Sequence, residues 1–113
     1  VCAVGGREED SPDEDEVRIV ILRSAIEDLI RGREFYENQG EGLGDYFDEA
    51  LAADIDSLHL YAGIHVMAHG CHRMLSAKFP YAVYYEIVAD QIRIRAILDC
   101  RRDPKWIRFR LRD

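Results

Sequence analysis

The chain has 113 residues, 48% hydrophobic and 33% charged, with three prolines and eight glycines, which fits one domain and excludes collagen-like or low-complexity sequence. Its longest aliphatic run, Ile19 to Leu22, is far too short to cross a bilayer, and VCAVGGREED has neither the basic start nor the apolar stretch of a secretory signal, so a cytoplasmic protein without membrane contact is expected. The formal charge of -7 is unevenly spread: residues 1–16 hold one base and seven acids, residues 17–60 four bases and ten acids, and residues 61–113 ten bases and five acids. Only the C-terminal half is therefore a candidate surface for an anionic partner.

The run EEDSPDEDE within residues 1–16 combines like charges with no apolar residue, and it reads as a disordered acidic leader ahead of a domain at 17–113. VRIVIL, residues 17–22, is rich in β-branched residues and predicts a first strand. Ser24 with Glu27 has the spacing of a capping box, and Ala25, Ile26, Leu29, Ile30 and Tyr36 follow at helical spacing until the glycine-rich QGEGLG. A second helix is expected from about Asp45 to Leu60, with Phe47, Ala50, Leu51, Ile55 and Leu58 on one stripe, so the pair forms an antiparallel helical hairpin. Three further runs, about Gly70 to Ala77, Phe79 to Val88 and Gln91 to Cys100, suit an antiparallel meander. Strict alternation places Phe79, Tyr81, Val83, Tyr85 and Ile87 on the core face of the middle strand and leaves Ala82, Tyr84 and Glu86 opposite. In the last strand the same rule puts Ile92, Ile94, Ala96 and Leu98 on one face and Gln91, Arg93, Arg95 and Ile97 on the other. After a turn at Asp103-Pro104 the tail suits a short basic helix or an extended arm. The fold class is α+β: a strand, a helical hairpin, a three-stranded antiparallel meander in one sheet and a basic tail.

His59, His65, His69, His72 and Cys71 fall close together, but Cys71 and His72 are adjacent and point to opposite faces of a strand, and no second ligand pair exists. No metal and no cofactor are expected. Cys2, Cys71 and Cys100 are odd in number without C-x-x-C spacing, which suits reduced thiols. Tyr81, Tyr84 and Tyr85 offer phenols for stacking or proton transfer, and Tyr84 is the open-face candidate among them. Arg73, Arg93 and Arg95, with Arg101, Arg102, Lys105, Arg108, Arg110 and Arg112 in the tail, form a positive set that favours an anionic partner. No phosphate loop, G-x-S-x-G or H-E-x-x-H motif is present.

The order of elements, with GLGDYFDEAL opening the second helix, then HRMLSAKFPYAVYYEI, then IRIRAILDCRRDPKWIRFRL, is similar to the RelE/ParE superfamily of small bacterial toxins from type II toxin-antitoxin modules, over about Val17 to Arg112. The resemblance implies a toxin neutralised by a cognate antitoxin that folds around the helices and sheet, with operator DNA reached only through the antitoxin. RelE-like members cut mRNA on the ribosome with basic residues on an open sheet face, and under that reading Arg73, Tyr84, Arg101 and Arg102 are the catalytic candidates. The chain departs from that pattern at Ala82 and in its tail, where Trp106 and Ile107 stand and no terminal His-Tyr pair occurs. ParE-like members inhibit DNA gyrase by binding, and FPYAVYY with a basic tail is closer to these. The expectation is a non-enzymatic inhibitor whose target-binding set is Arg93, Arg95, Arg101, Arg102, Lys105, Trp106 and Arg108. The ribosome-dependent mRNA endonuclease is the runner-up, and a non-toxic relic that binds an antitoxin and co-represses its operon is a third reading.

Overall fold

The computed structural model describes residues 17–112; the acidic leader lies outside the described residues. Strand β1 (Arg18–Ile21) leads into α1 (Arg23–Gln39), α2 (Leu43–Asp56) and the single turn α3 (Leu58–Tyr61). Strands β2 (Met67–Ala68), β3 (Cys71–Leu75), β4 (Tyr81–Val88) and β5 (Gln91–Asp99) follow, and α4 (Pro104–Leu111) closes the chain. The strands form one sheet in the order β1-β5-β4-β3-β2, antiparallel except where β1 runs parallel to β5. The α+β class and the meander of β3, β4 and β5 are as the sequence predicts, and the two-residue β2 extends the sheet by an edge strand. His69 and Gly70 both hold positive φ, 56° and 81°, as a tight turn between β2 and β3 requires.

Several local expectations are corrected. The expected second helix breaks at Ser57, whose hydroxyl donates to the Asp54 carbonyl (2.6 Å), and it splits into α2 and α3. Ser24 lies inside the first turn of α1 and is not its N-cap; Leu22 holds that position and offers no side-chain hydrogen bond. The Ser24 hydroxyl instead donates to the Arg95 carbonyl at 3.1 Å. That carbonyl belongs to a β-bulge: Tyr84 pairs with Ala96 but Tyr85 pairs with Ile94, which leaves Arg95 as an extra residue in β5. The bulge shifts the alternation by one residue, so Ile92, Ile94 and Ile97 face the helical hairpin while Ala96 and Leu98 face the other side.

Two cores result. The larger packs Phe47, Leu51, Ile55 and Leu58 against Val83, Tyr85, Ile92, Ile94 and Ile97. Gly32 brings α1 close to α2 here, because a Cβ at that position would meet Phe47 Cζ at 2.6 Å. The smaller core lies on the opposite face, where Ile107 and Leu111, one helical turn apart on α4, cover Cys71, Ala82, Tyr84, Ala96 and Leu98. Asp103 caps α4 by accepting from the Lys105 N–H (2.9 Å), and Pro104 supplies the first helical position. The tail is thus a docked helix, and the sheet face that carries Tyr84 is covered.

Candidate functional site

Two surfaces carry chemistry: an apolar groove beside β1 and a basic face on and around α4. The groove holds about 460 Å³ between Ile19 and Ile21 of β1, Ile26, Leu29 and Ile30 of α1, and Ala52 and Ile55 of α2. It exists because the apolar stripe of α1 is wider than the sheet beneath it: Ala25 is buried, whereas Ile26 and Ile30 remain 45% and 51% exposed. Its rim is fixed by Arg33, which donates to Asp45 (2.7 Å) and Asp48 (3.0 Å) across the hairpin. The two carboxylates hold the Arg33 guanidinium above its ordinary range.

The basic face is built on a buried carboxylate that the helical periodicity did not single out. Asp28 accepts from Arg110 through both guanidinium nitrogens (2.8 and 2.9 Å), from Arg31 (2.8 Å) and from the Ile97 N–H (3.0 Å). Beyond the end of β1 the outer edge of β5 has no strand partner, and Ser24 and Asp28 of α1 satisfy its exposed backbone groups instead. The same carboxylate anchors α4 through Arg110. The available signal was Asp28 sitting between the small residues Ala25 and Gly32 on one helical face, all three buried.

The charged residues singled out in the sequence are not equivalent in space. Arg101 is turned back on Asp99 in a two-point pair (2.9 and 2.8 Å), which holds the Asp99 carboxyl below its usual range and the Arg101 guanidinium above its own. Arg93 and Arg95 both reach Glu86, at 3.7 and 3.9 Å. Arg102 lies over Trp106, its guanidinium carbon 3.6 Å from the ring centroid, and Arg110 approaches the same ring at 5.8 Å. Lys105 and Arg108 are exposed on α4 and have no carboxylate within ion-pair distance among the described residues. Phe109, which the sequence reading passed over, is 63% exposed beside Arg112. Arg102, Lys105, Trp106, Arg108 and Phe109 thus belong to α4 and its approach, whereas Arg93 and Arg95 lie on the sheet and share one acid.

Arg73 stands directly across from Tyr84 in the β3–β4 register, and the Tyr84 hydroxyl and Cys100 hold its guanidinium above the ordinary range. Tyr84 itself is 2% exposed beneath α4, which corrects the expectation of an open-face phenol. Tyr81 is also enclosed; burial, with Asp99 and Tyr36 nearby, pushes its phenol up to about 12. A recess on this side, about 290 Å³ between α1 and α4, is lined by Arg31, Phe35, Tyr81, Asp99, Arg102 and Trp106.

The histidines do not converge as a ligand set; among the described residues no group of three His, Cys, Asp or Glu could hold a metal ion. His65 and His72 flank Tyr85, whose hydroxyl accepts from the Gly63 N–H (2.8 Å) and bonds His65 Nδ1. His72 stacks on the Tyr85 ring and bonds the His65 carbonyl through Nδ1 (3.0 Å). Burial and the neighbouring His72 lower the affinity of His65 for a proton.

No family model matches the chain, and no curated protein does. Seven solved chains match it in structure. One, from a structure described as the chromosomal ParDE TA system from P. aeruginosa, superposes with a TM-score of 0.61 at 15% identity, over 73% of this chain and 94% of that one. The fold defined by the sheet, the helical hairpin and the docked C-terminal helix is therefore ParE-like. Among the described residues no helix is long and apolar enough to cross a membrane.

Proposed function

We propose that this chain is the toxin of a type II toxin-antitoxin module and that an antitoxin segment neutralises it by filling the groove between β1, α1 and α2. The observation that carries the reading is that groove on a ParE-like fold, with the apolar faces of Ile26 and Ile30 exposed inside it. An amphipathic segment that folds on binding can bury on the order of 1,000 Å² or more there, and such a ligand raises the melting temperature through linkage. Co-expression with a small protein from a neighbouring reading frame, tested as the antitoxin, is expected to give a co-purifying complex that melts well above the free chain. Ile30→Asp is expected to abolish the complex while leaving the fold intact.

For the target, we favour inhibition of DNA gyrase by binding over cleavage of mRNA. Cleavage needs a group able to move a proton beside the reacting phosphate, and arginine remains protonated. The supporting geometry is that Tyr84 is buried under α4 and Arg101 is engaged by Asp99, whereas Arg102, Lys105, Trp106, Arg108 and Phe109 supply exposed charge and aromatic anchors. Gyrase supercoiling assayed beside primer extension on mRNA in translating ribosomes separates the two. Cleavage in the ribosomal A site with gyrase unaffected would replace the inhibitor by the endonuclease. Absence of any growth defect on induction would leave a relic that binds an antitoxin.

A further inference from the structure

Tyr85 is fully buried, and its hydroxyl is the anchor of loop 62–66, which joins α3 to β2. The oxygen accepts from the Gly63 N–H (2.8 Å) and bonds His65 Nδ1, while His72, stacked on the Tyr85 ring, bonds the His65 carbonyl through Nδ1. These partners fix where the ring protons sit. A carbonyl only accepts, so His72 Nδ1 carries a hydrogen. Among the described residues the Tyr85 hydroxyl hydrogen has one acceptor, His65 Nδ1, and His65 therefore holds its own hydrogen on Nε2. A further proton, placed on Nδ1, turns that acceptor into a donor and leaves a buried phenol hydrogen without a partner, which is the costly arrangement.

The surrounding charges do not offset that cost. In β3, next to His72, Arg73 is engaged by Tyr84 and Cys100; in β4, next to Tyr85, Glu86 is shared by Arg93 and Arg95. In α3, His59 is turned to Asp56 (3.8 Å) and Tyr61 is exposed. Among the described residues neither His65 nor His72 has a carboxylate within ion-pair distance. Burial and His72 accordingly lower the affinity of His65 for a proton. We infer that loop 62–66 is an acid-released latch, closed while His65 is neutral and freed from Tyr85 when His65 gains a proton. The opening is local, because β4 stays paired with β3 and β5 on either side of Tyr85. The latch uses no residue of the groove or of α4 and stands independently of the toxin reading.

Long-range proton–nitrogen NMR of the full chain at about pH 7.5 is expected to show the Nε2–H form of His65 and the Nδ1–H form of His72. Protection of the Gly63 amide, corrected for its intrinsic exchange rate, is expected to fall by about tenfold per pH unit below about pH 6.5, because opening takes up one proton. In low concentrations of urea the Gly63 exchange should stay constant while the core amides of β4 and β5 exchange faster, which separates release of the loop from unfolding of the whole chain. His65→Gln is expected to abolish the pH dependence, His72→Gln to retain it, and Tyr85→Phe to leave Gly63 unprotected at every pH. An Nδ1–H form at His65, a pH dependence that survives His65→Gln or is lost in His72→Gln, or a Gly63 amide that follows the core amides in urea would overturn the latch. Protection of Gly63 retained in Tyr85→Phe would overturn it equally.

Discussion

Asp28→Ala tests the clamp that joins α1, β5 and α4. The Asp28 side chain is 3% exposed and Arg110, its two-point partner, 18%, whereas Arg31 is 64% exposed. Removing one member of a buried pair costs about 3–5 kcal/mol, and the water that reaches Arg110 argues for the lower end. The exposed Arg31 contact contributes little, about 0–1 kcal/mol. The Ile97 N–H, left without its acceptor, adds about 1 kcal/mol, so the expected loss is roughly 4 kcal/mol. For a domain of this size such a loss lowers the melting temperature by roughly 15–30 °C. Asp28→Asn keeps an oxygen for Ile97 and should fall between the two proteins. Urea titrations of Asp28→Ala, Arg110→Ala and the double variant would measure the coupling directly. Because Trp106 on α4 is the sole tryptophan, its fluorescence reports undocking of that helix, and in Arg110→Ala it should change before the far-ultraviolet dichroism does. A loss below about 1 kcal/mol for Asp28→Ala, or strict additivity in the cycle, would refute the clamp.

Gly32→Ala should destabilise: the helix gains about 1 kcal/mol in propensity, but the new methyl meets Phe47 at 2.6 Å, and overpacking of this kind costs about 1–3 kcal/mol, so urea midpoints should fall. His65 binds a proton less readily folded than unfolded, so the unfolded chain takes up more protons below about pH 6.5 and stability should decline as pH falls through that value; His65→Gln should flatten this limb of a pH series of melts. The Asp99 carboxyl, lowered mainly by its bond to Arg101, contributes stability that is present above about pH 4 and lost as pH falls further; Asp99→Asn should remove that acid dependence. Combined Arg102→Ala, Lys105→Ala and Arg108→Ala substitutions should abolish growth inhibition with little change in melting temperature, whereas Tyr84→Phe should leave growth inhibition intact.

The elements that were legible in the sequence are those whose periodicity is uninterrupted. Alternation through β4 separates Tyr81, Val83 and Tyr85 from Ala82 and Tyr84 correctly, and Asp103-Pro104 marks the start of α4. Alternation fails in β5 at Arg95, because a bulge is selected by what lies alongside the strand, here Ser24 and Asp28 of α1, and not by the strand's own residues. Asp28 was missed for a related reason: a carboxylate amid an apolar stripe looks solvent-facing until an arginine 82 residues later is brought against it.

That same long-range contact changes how the basic residues are read. With the tail extended, the sheet face bearing Arg73 and Tyr84 would be open and the arginines of 101–112 would hang beside it, an arrangement suited to gripping RNA. Once Arg110 is spent on Asp28, Ile107 and Leu111 seal that face, and the Tyr84 hydroxyl is left beside Arg73 away from solvent. The charge that the tail can offer a partner then lies on the outer surface of α4 and the turn before it. A convex helix presenting Lys105, Arg108 and the Arg102–Trp106 stack suits recognition of another macromolecule's surface better than enclosure of a single phosphate. Within the proposed toxin reading, docking of α4 therefore favours the binding inhibitor over the nuclease, and an Arg110→Ala protein that gained ribosome-dependent cleavage as its helix came free would count against that preference.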